Sequence, residues 1–283
     1  MKIAIVGMGF VGKSLSNGFK KSAEVLGIDP ILNTSIKDLA KFKPDAIFIC
    51  LPTPMKEDTS QDISIINLAL QEIIELNLNP LIVLKSTVLP NYVYEIQKLA
   101  PRFVYNPEFL RERCANEDFI NSELIVFGGD RKDTDKLAKI YDMHTKCKCK
   151  NYIHTDAIAA SFIKYTINSF LSLKVIFFNE LKDLFDTSGT NETWENFTSA
   201  LSMDKRIGNS HMQVPGPDGR LGFGGACFPK DTNALYNYSC SIGAEFELLK
   251  KVILLNNNIR ADYTNPTIRE IEQNIGFSKN LKE

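Results

Sequence analysis

The chain has 283 residues, 44% of them hydrophobic, which is apolar material enough for packed cores and length enough for two domains. Its 33 basic and 34 acidic residues leave a formal charge of -1 and are spread along the sequence, so no electrostatic argument favours a nucleic acid or an anionic membrane as partner. No stretch reaches membrane-spanning length and the opening MKIAIV is too short for a signal-peptide core; a cytoplasmic protein acting on a small ligand is expected.

In chain order, short apolar runs (KIAIV, EVLGID, DAIFIC, LIVLKS, RFVYN, ELIVFGG, NYIHT) alternate with amphipathic or turn-rich stretches as far as residue 155. That alternation predicts an α/β domain over 1–155, a Rossmann-like doubly wound parallel sheet. From Asp156 the pattern becomes one helical stretch, DAIAASFIKYTINSFLSLKVIFFNELKDLF, opening a helical central domain over 156–283. The stretch is apolar on more than one face, which suits a core or dimer-interface helix, so a homodimer is expected. A turn-rich segment at 215–231, a final amphipathic helix (AEFELLKKVILLNNNIR) and a polar tail complete the chain. The six cysteines, Cys50, Cys114, Cys147, Cys149, Cys227 and Cys240, fit neither a disulfide scaffold nor a zinc ribbon. The lysines of KCKCK would repel a cation from Cys147 and Cys149, and no metal site is expected.

Gly7-Met-Gly9-Phe10-Val11-Gly12 follows the first strand and opens a helical pattern, the arrangement a dinucleotide pyrophosphate requires. The second strand ends at Asp29, where a carboxylate can accept bonds from ribose hydroxyls and would repel the extra phosphate of NADP, so NAD is the expected cofactor. Two further strand ends place Pro52 and Thr53 (LPTP) and Ser86 and Thr87 (KST) at the carboxyl edge, where ligands bind in such sheets; plain turn chemistry is the alternative.

In Gly222-Phe-Gly-Gly-Ala-Cys227-Phe-Pro-Lys230-Asp231 the glycines let backbone close on a ligand and present a thiol just before a helix. A helix N-terminus and the Lys230 ammonium would both favour thiolate, and Asp231 could orient a group there or serve as an ordinary helix N-cap. A buried structural cysteine is the competing reading. Lys164 and Asn168 stand four apart, on one face of a largely apolar helix. Glu108 and Glu112, also four apart, follow a strand and a proline.

These segments, GMGFVG, LPTP, KST, NPEFLRE, IKYTIN, DKRIG and GFGGACFPKD, occur in the order found in the UDP-glucose/GDP-mannose dehydrogenase family, which the chain resembles over about residues 1–262. The resemblance implies NAD-dependent oxidation of a nucleotide-sugar C6 alcohol, UDP-glucose first among candidates, through a Cys227 thiohemiacetal and thioester. It implies Glu108 as general base, Thr87 and Asp231 as water-positioning groups, and Lys164 and Asn168 as stabilisers of oxyanions. Glu112 resembles a residue beside the nicotinamide, and Lys230 falls with the cofactor-binding set. Phe109, Leu110, Arg206, Phe223 and Gly224 fall with the substrate-binding set, Arg206 across a dimer interface, and backbone amides around Phe223 and Gly224 are expected to face glucosyl or phosphate groups.

Family members usually continue into a third α/β domain of roughly a hundred residues. The chain is therefore expected to act either with a weakened grip on the nucleotide or with a separate chain that supplies that domain. A two-electron hydroxyacid-type dehydrogenase, and a non-catalytic or partner-dependent subunit binding NAD or a sugar nucleotide, are the competing functions.

Overall fold

The computed structural model describes residues 1–279, so residues 280–283 of the expected second domain and polar tail lie outside the described residues. The chain divides into two compact units: residues 1–53 with 62–164, and residues 54–61 with 165–283.

The first unit runs β1 (Lys2–Val6), α1 (Phe10–Gly18), β2 (Glu24–Ile28), α2 (Leu39–Phe42), β3 (Ala46–Ile49), α3 (Ser64–Glu75), β4 (Leu81–Leu84) and α4 (Pro90–Leu99). It continues through β5 (Phe103–Tyr105), α5 (Ala115–Ile120), β6 (Ile125–Gly129), α6 (Arg131–His144) and β7 (Tyr152–Thr155). Every strand expected from the apolar runs is present. They form one seven-stranded sheet in the order β2-β1-β3-β4-β5-β6-β7. Side chains alternate between two buried layers: Ala4, Val6, Ile47, Ile49, Ile82 and Leu84 face one, and Ile3, Ile5, Phe48, Leu81 and Val83 the other. A sheet buried on both faces needs strands apolar at every position, which is why the runs read as continuous. Each such side chain, fully removed from water, contributes about 1.5–3 kcal/mol before entropy is counted.

The expected doubly wound parallel sheet is present with one antiparallel pair. β5 and β6 pair antiparallel, while every other pair is parallel, so the sheet is mixed. A parallel pair requires a crossover helix over the sheet. The β5–β6 connection instead commits α5 to α1, where the Phe119 ring fills the space a Cβ on Gly18 would need, and the chain re-enters the sheet reversed.

A 31-residue helix, α7 (Ala157–Thr187), begins in the first unit. The second unit holds the rest of α7 with α8 (Trp194–Ser202), α9 (Phe228–Ser241), α10 (Glu247–Arg260) and α11 (Ile268–Glu272). Phe178, Trp194, Met212 and Val214 make one apolar cluster there, with Trp194 Nε1 donating to Met212 O at 3.1 Å. Ile176, Phe223 and Val252 make another, flanked by Phe228. Among the described residues no helix is long and apolar enough to cross a membrane.

Candidate active site

In the first unit, β1 is followed by β2 on one side and β3 lies on the other, so the β1–β3 boundary is the topological switch point where open α/β sheets bind ligands. Gly7 leaves β1 with φ +92°, and a Cβ there would lie 2.6 Å from Cys50 O. The Gly7 N–H donates to Ile28 O at 2.9 Å. A Cβ on Gly12 would lie 2.0 Å from Gly7 O, so turn and helix α1 close directly on each other, whereas the space before exposed Gly9 is open. Phe10 and Val11 open α1, half-buried. Asp29 ends β2 with its carboxylate braced by N–H groups of Met8 (2.7 Å) and Ile31 (3.0 Å), leaving further lone pairs for ribose hydroxyls. A tight turn, an open helix start and a fixed carboxylate fit a dinucleotide.

At the next strand ends the hydroxyls are spent on backbone. Thr53 Oγ1 donates to Thr87 O at 3.0 Å and Ser86 Oγ to Leu51 O at 2.7 Å, so both tie the ends of β3 and β4 together; Pro52 is exposed and Thr87 half-buried. Beyond β5, buried Glu108 is held at both oxygens. Oε2 accepts the Leu110 N–H at 2.6 Å, and Oε1 stands 3.3 Å from Lys164 Nζ, itself 5.4 Å from the centroid of the Phe109 ring. A fixed carboxylate and a buried ammonium suit proton transfer beside a developing negative charge. Glu112 is exposed at the start of a 3-10 turn.

One residue of this unit was not singled out in the sequence. Buried Lys85 donates to Asn106 O (3.2 Å) and Oδ1 (3.0 Å) and reaches Tyr141 Oη at 3.5 Å. Tyr141 donates to the same Asn106 Oδ1 at 2.6 Å. Burial pushes the Lys85 ammonium down to about 8, against the attraction of Cys50 and Glu108. The signal was a lysine directly after the apolar run LIVL, two residues before Thr87.

In the second unit, Cys227 is the N-cap of α9 and half-buried, with Pro229 in the first turn. Asp231 is not the cap: its N–H donates to Cys227 O at 2.9 Å within that turn. Its buried carboxylate accepts from Asn168 Nδ2 at 2.6 Å and pairs with Lys230 Nζ at 2.5 Å. The Lys230 ammonium expected beside the thiol is thus committed to Asp231.

The loop expected to wrap the substrate differs from expectation in one respect. The Phe223 N–H donates to Asn256 Oδ1 at 2.7 Å and its carbonyl accepts from Asn256 Nδ2 at 3.0 Å, while the ring is buried with Ile176 and Val252. That amide therefore faces the protein rather than a sugar or phosphate. Arg206, 89% exposed, is paired with Asp204 through Nη2 at 2.5 Å.

Comparison with known proteins identifies the family. Residues 31–145 match the NAD binding domain of the UDP-glucose/GDP-mannose dehydrogenase family and residues 158–258 its central domain. A UDP-glucose 6-dehydrogenase of Rickettsia felis is 38% identical over 220 residues, covering 75% of this chain and 47% of that protein. UDP-glucose 6-dehydrogenase YwqF of Bacillus subtilis is 30% identical over 305 residues, covering 92% of this chain and 67% of that protein. The structure of a UDP-glucose dehydrogenase from the archaeon Pyrobaculum islandicum superposes with a TM-score of 0.76 at 27% identity, covering 90% of this chain and 67% of that one. The chain thus spans about half the length of several of the curated relatives it matches. With both domain models matched in sequence order, the chain belongs to the UDP-glucose/GDP-mannose dehydrogenase family and carries its NAD binding and central domains.

Proposed function

We propose that this chain carries out the NAD-dependent, four-electron oxidation of a nucleotide-sugar C6 alcohol to the carboxylate, with UDP-glucose as substrate and Cys227 as covalent nucleophile. The observation that carries the reading is a cysteine capping α9, beside a buried set in which Lys230 and Asp231 of its first turn meet Asn168 of α7. A thiol at a helix N-terminus is favoured as thiolate, and buried donors fixed by a carboxylate stabilise an oxyanion without reorganising.

NAD, held by Gly7, Gly9, Gly12 and Asp29, supplies the acceptor for the hydride lost at each oxidation. Glu108 takes the hydroxyl proton as the alcohol becomes an aldehyde. Cys227 Sγ then adds to the aldehyde carbon, forming a C–S bond, and Lys164 and Asn168 stabilise the resulting oxyanion. After the second oxidation the intermediate is a thioester. Glu108, having released its first proton to solvent, takes a proton from water placed by Thr87 and Asp231; that water attacks, the C–S bond breaks, and the thiolate leaves. Overall, alcohol, two NAD and water give carboxylate, two NADH and three protons. In this reading Phe109, Leu110 and Gly224 contact the sugar, and Glu112 and Lys230 the cofactor.

We also propose a homodimer. Phe170, Phe177 and Leu184 lie 62%, 55% and 66% exposed at seven-residue spacing on α7, an apolar stripe suited to a second copy, and exposed Arg206 then serves the partner's substrate.

The test is NADH formation from NAD with UDP-glucose, GDP-mannose and UDP-N-acetylmannosamine, run beside Cys227→Ser. Two NADH per sugar with one substrate, stalled by the substitution, is the expected result. Unimpaired turnover by Cys227→Ser would instead establish a two-electron enzyme. Binding of NAD with no turnover of any sugar would favour a subunit that needs a partner chain.

A further inference from the structure

Side chains from three helices hold the backbone just before Cys227. The Gly222 N–H donates to Asn179 Oδ1 of α7 at 3.0 Å, the Phe223 N–H to Asn256 Oδ1 of α10 at 2.7 Å, and the Gly225 N–H to Glu270 Oε1 of α11 at 3.1 Å. Glu270 is fixed in turn: Oε1 also accepts from Arg260 Nη2 at 2.9 Å, and Oε2 accepts the Thr267 N–H at 2.7 Å. The other guanidinium arm reaches Asp218 Oδ2 at 2.8 Å, and the Tyr263 and Phe277 rings flank the group at 5.6 and 5.4 Å. Arg260 is 1% exposed and Glu270 0%.

The loop lies directly on this ion pair. A Cβ on Gly224 would stand 1.9 Å from Arg260 Nη2 and 2.5 Å from Glu270 Oε1. Gly222 takes φ +69° against Asn256, a conformation that glycine adopts without strain. Downstream, Cys227 O is fixed by the Asp231 N–H, so only Ala226 separates the last clamped amide from the thiol residue. A fully buried ion pair is a poor device for stability, because its desolvation offsets its attraction; its better-attested use is to select one conformation.

We propose that Arg260 and Glu270, with Asn256 and Asn179, form a preset clamp that fixes the Gly222–Cys227 loop and thereby sets where the Cys227 thiol stands. They are positioning residues: they act through the loop, and the proposal rests on the covalent reading above. With the clamp intact the thiol captures the aldehyde before it leaves; with the clamp loosened the first oxidation continues and the second falls behind.

The test uses the full chain with Glu270→Gln and, because that change leaves Arg260 buried beside a neutral group, also Asn256→Ala, which leaves the ion pair in place. Three quantities are measured: hydrogen exchange across 222–227, iodoacetamide labelling of Cys227 relative to exposed Cys240, and aldehyde trapped by an aminooxy reagent per NADH. The expected result in each folded variant is faster exchange confined to the loop, at least threefold faster relative labelling of Cys227, and a fall from two NADH per sugar towards one with aldehyde released. Faster labelling with the ratio still at two would overturn the positioning role, and unchanged labelling and exchange in both variants would overturn the clamp itself. If the unsubstituted chain oxidises none of the three sugar nucleotides, the dehydrogenase reading fails, and labelling and exchange alone decide the clamp.

Discussion

Lys85 gives a pH dependence whose sign and size follow from its surroundings. Buried against Asn106 and Tyr141, it has its ammonium pushed from the ordinary 10.5 down to about 8 by burial. Below pH 8 both folded and unfolded chains hold the proton, and the folded state carries the full cost of a buried charge, about 3 kcal/mol. Between about 8 and 10.5 the unfolded chain holds a proton that the folded chain has lost, so stability rises with pH at about 1 kcal/mol per pH unit. The Cys50 thiol opposes this above pH 9, since burial pushes it from 9.0 up to about 12 and the folded chain keeps a proton that the unfolded chain gives up. The rising limb is therefore cleanest between pH 8 and 9. Lys85→Met removes the buried charge together with hydrogen bonds whose loss is independent of pH. Urea unfolding of both proteins at half-unit steps from pH 7 to 9.5 is the assay, read as the difference between them, in which groups not coupled to Lys85 cancel, and the window below pH 9 avoids the coupled Cys50 thiol. The substituted protein should lose stability relative to the original by about 1 kcal/mol from pH 8 to 9 and by almost nothing from 7 to 7.5. Parallel curves throughout would show that the Lys85 ammonium is not desolvated, and the argument would fail.

Two further outcomes are expected. Gly12→Ala places a Cβ 2.0 Å from Gly7 O and should weaken NAD binding at least tenfold, about 1.4 kcal/mol, with the unfolding transition still cooperative; an unchanged Kd by titration calorimetry would contradict the cofactor assignment. Phe170→Glu with Phe177→Glu puts two carboxylates on the exposed stripe of α7 and should halve the mass measured by light scattering at micromolar concentration, whereas the same mass as the unsubstituted chain would refute that interface.

The strands, α7 and the cofactor turn were legible because each leaves a local trace: uninterrupted apolar runs, a long helical pattern, and glycines at fixed spacing after a strand. Strand direction leaves none, since a strand buried on both faces reads the same whichever way it runs, and the β5–β6 reversal was missed for that reason. Lys85 reads as a turn residue until Asn106 and Tyr141, 21 and 56 residues away, are folded around it. Asn256, Arg260 and Glu270 look like the polar face of exposed helices, and only the arrival of the 222–225 loop turns them inward. The residue types of the loop suggest a chemistry, but the direction of its N–H groups leaves no local trace, and the Phe223 amide, expected to face a glucosyl or phosphate group, donates to Asn256 instead.

The reversed pair at the end of the sheet has a geometric outcome for Lys164. Because β6 and β7 run against the first five strands, β7 delivers the chain to the edge opposite Gly7 and Asp29. Helix α7 starts there, with Ala157 and Ala160 pressed on Gly128 so closely that a Cβ on the glycine would lie 2.5 Å from Ala160 Cβ. From Ala157 to Lys164 the helix climbs about 10 Å at 1.5 Å per residue, back along the strands. It brings Lys164 within 3.3 Å of Glu108 beyond the far end of β5. Had every strand run the same way, β7 would have ended at the edge of Gly7 and Asp29, and the helix would have carried Lys164 away from Glu108. The two backward strands thus work as a switchback, returning the chain to the edge it started from, and the length of the first stretch of α7 sets which residue of the helix meets the Glu108 carboxylate.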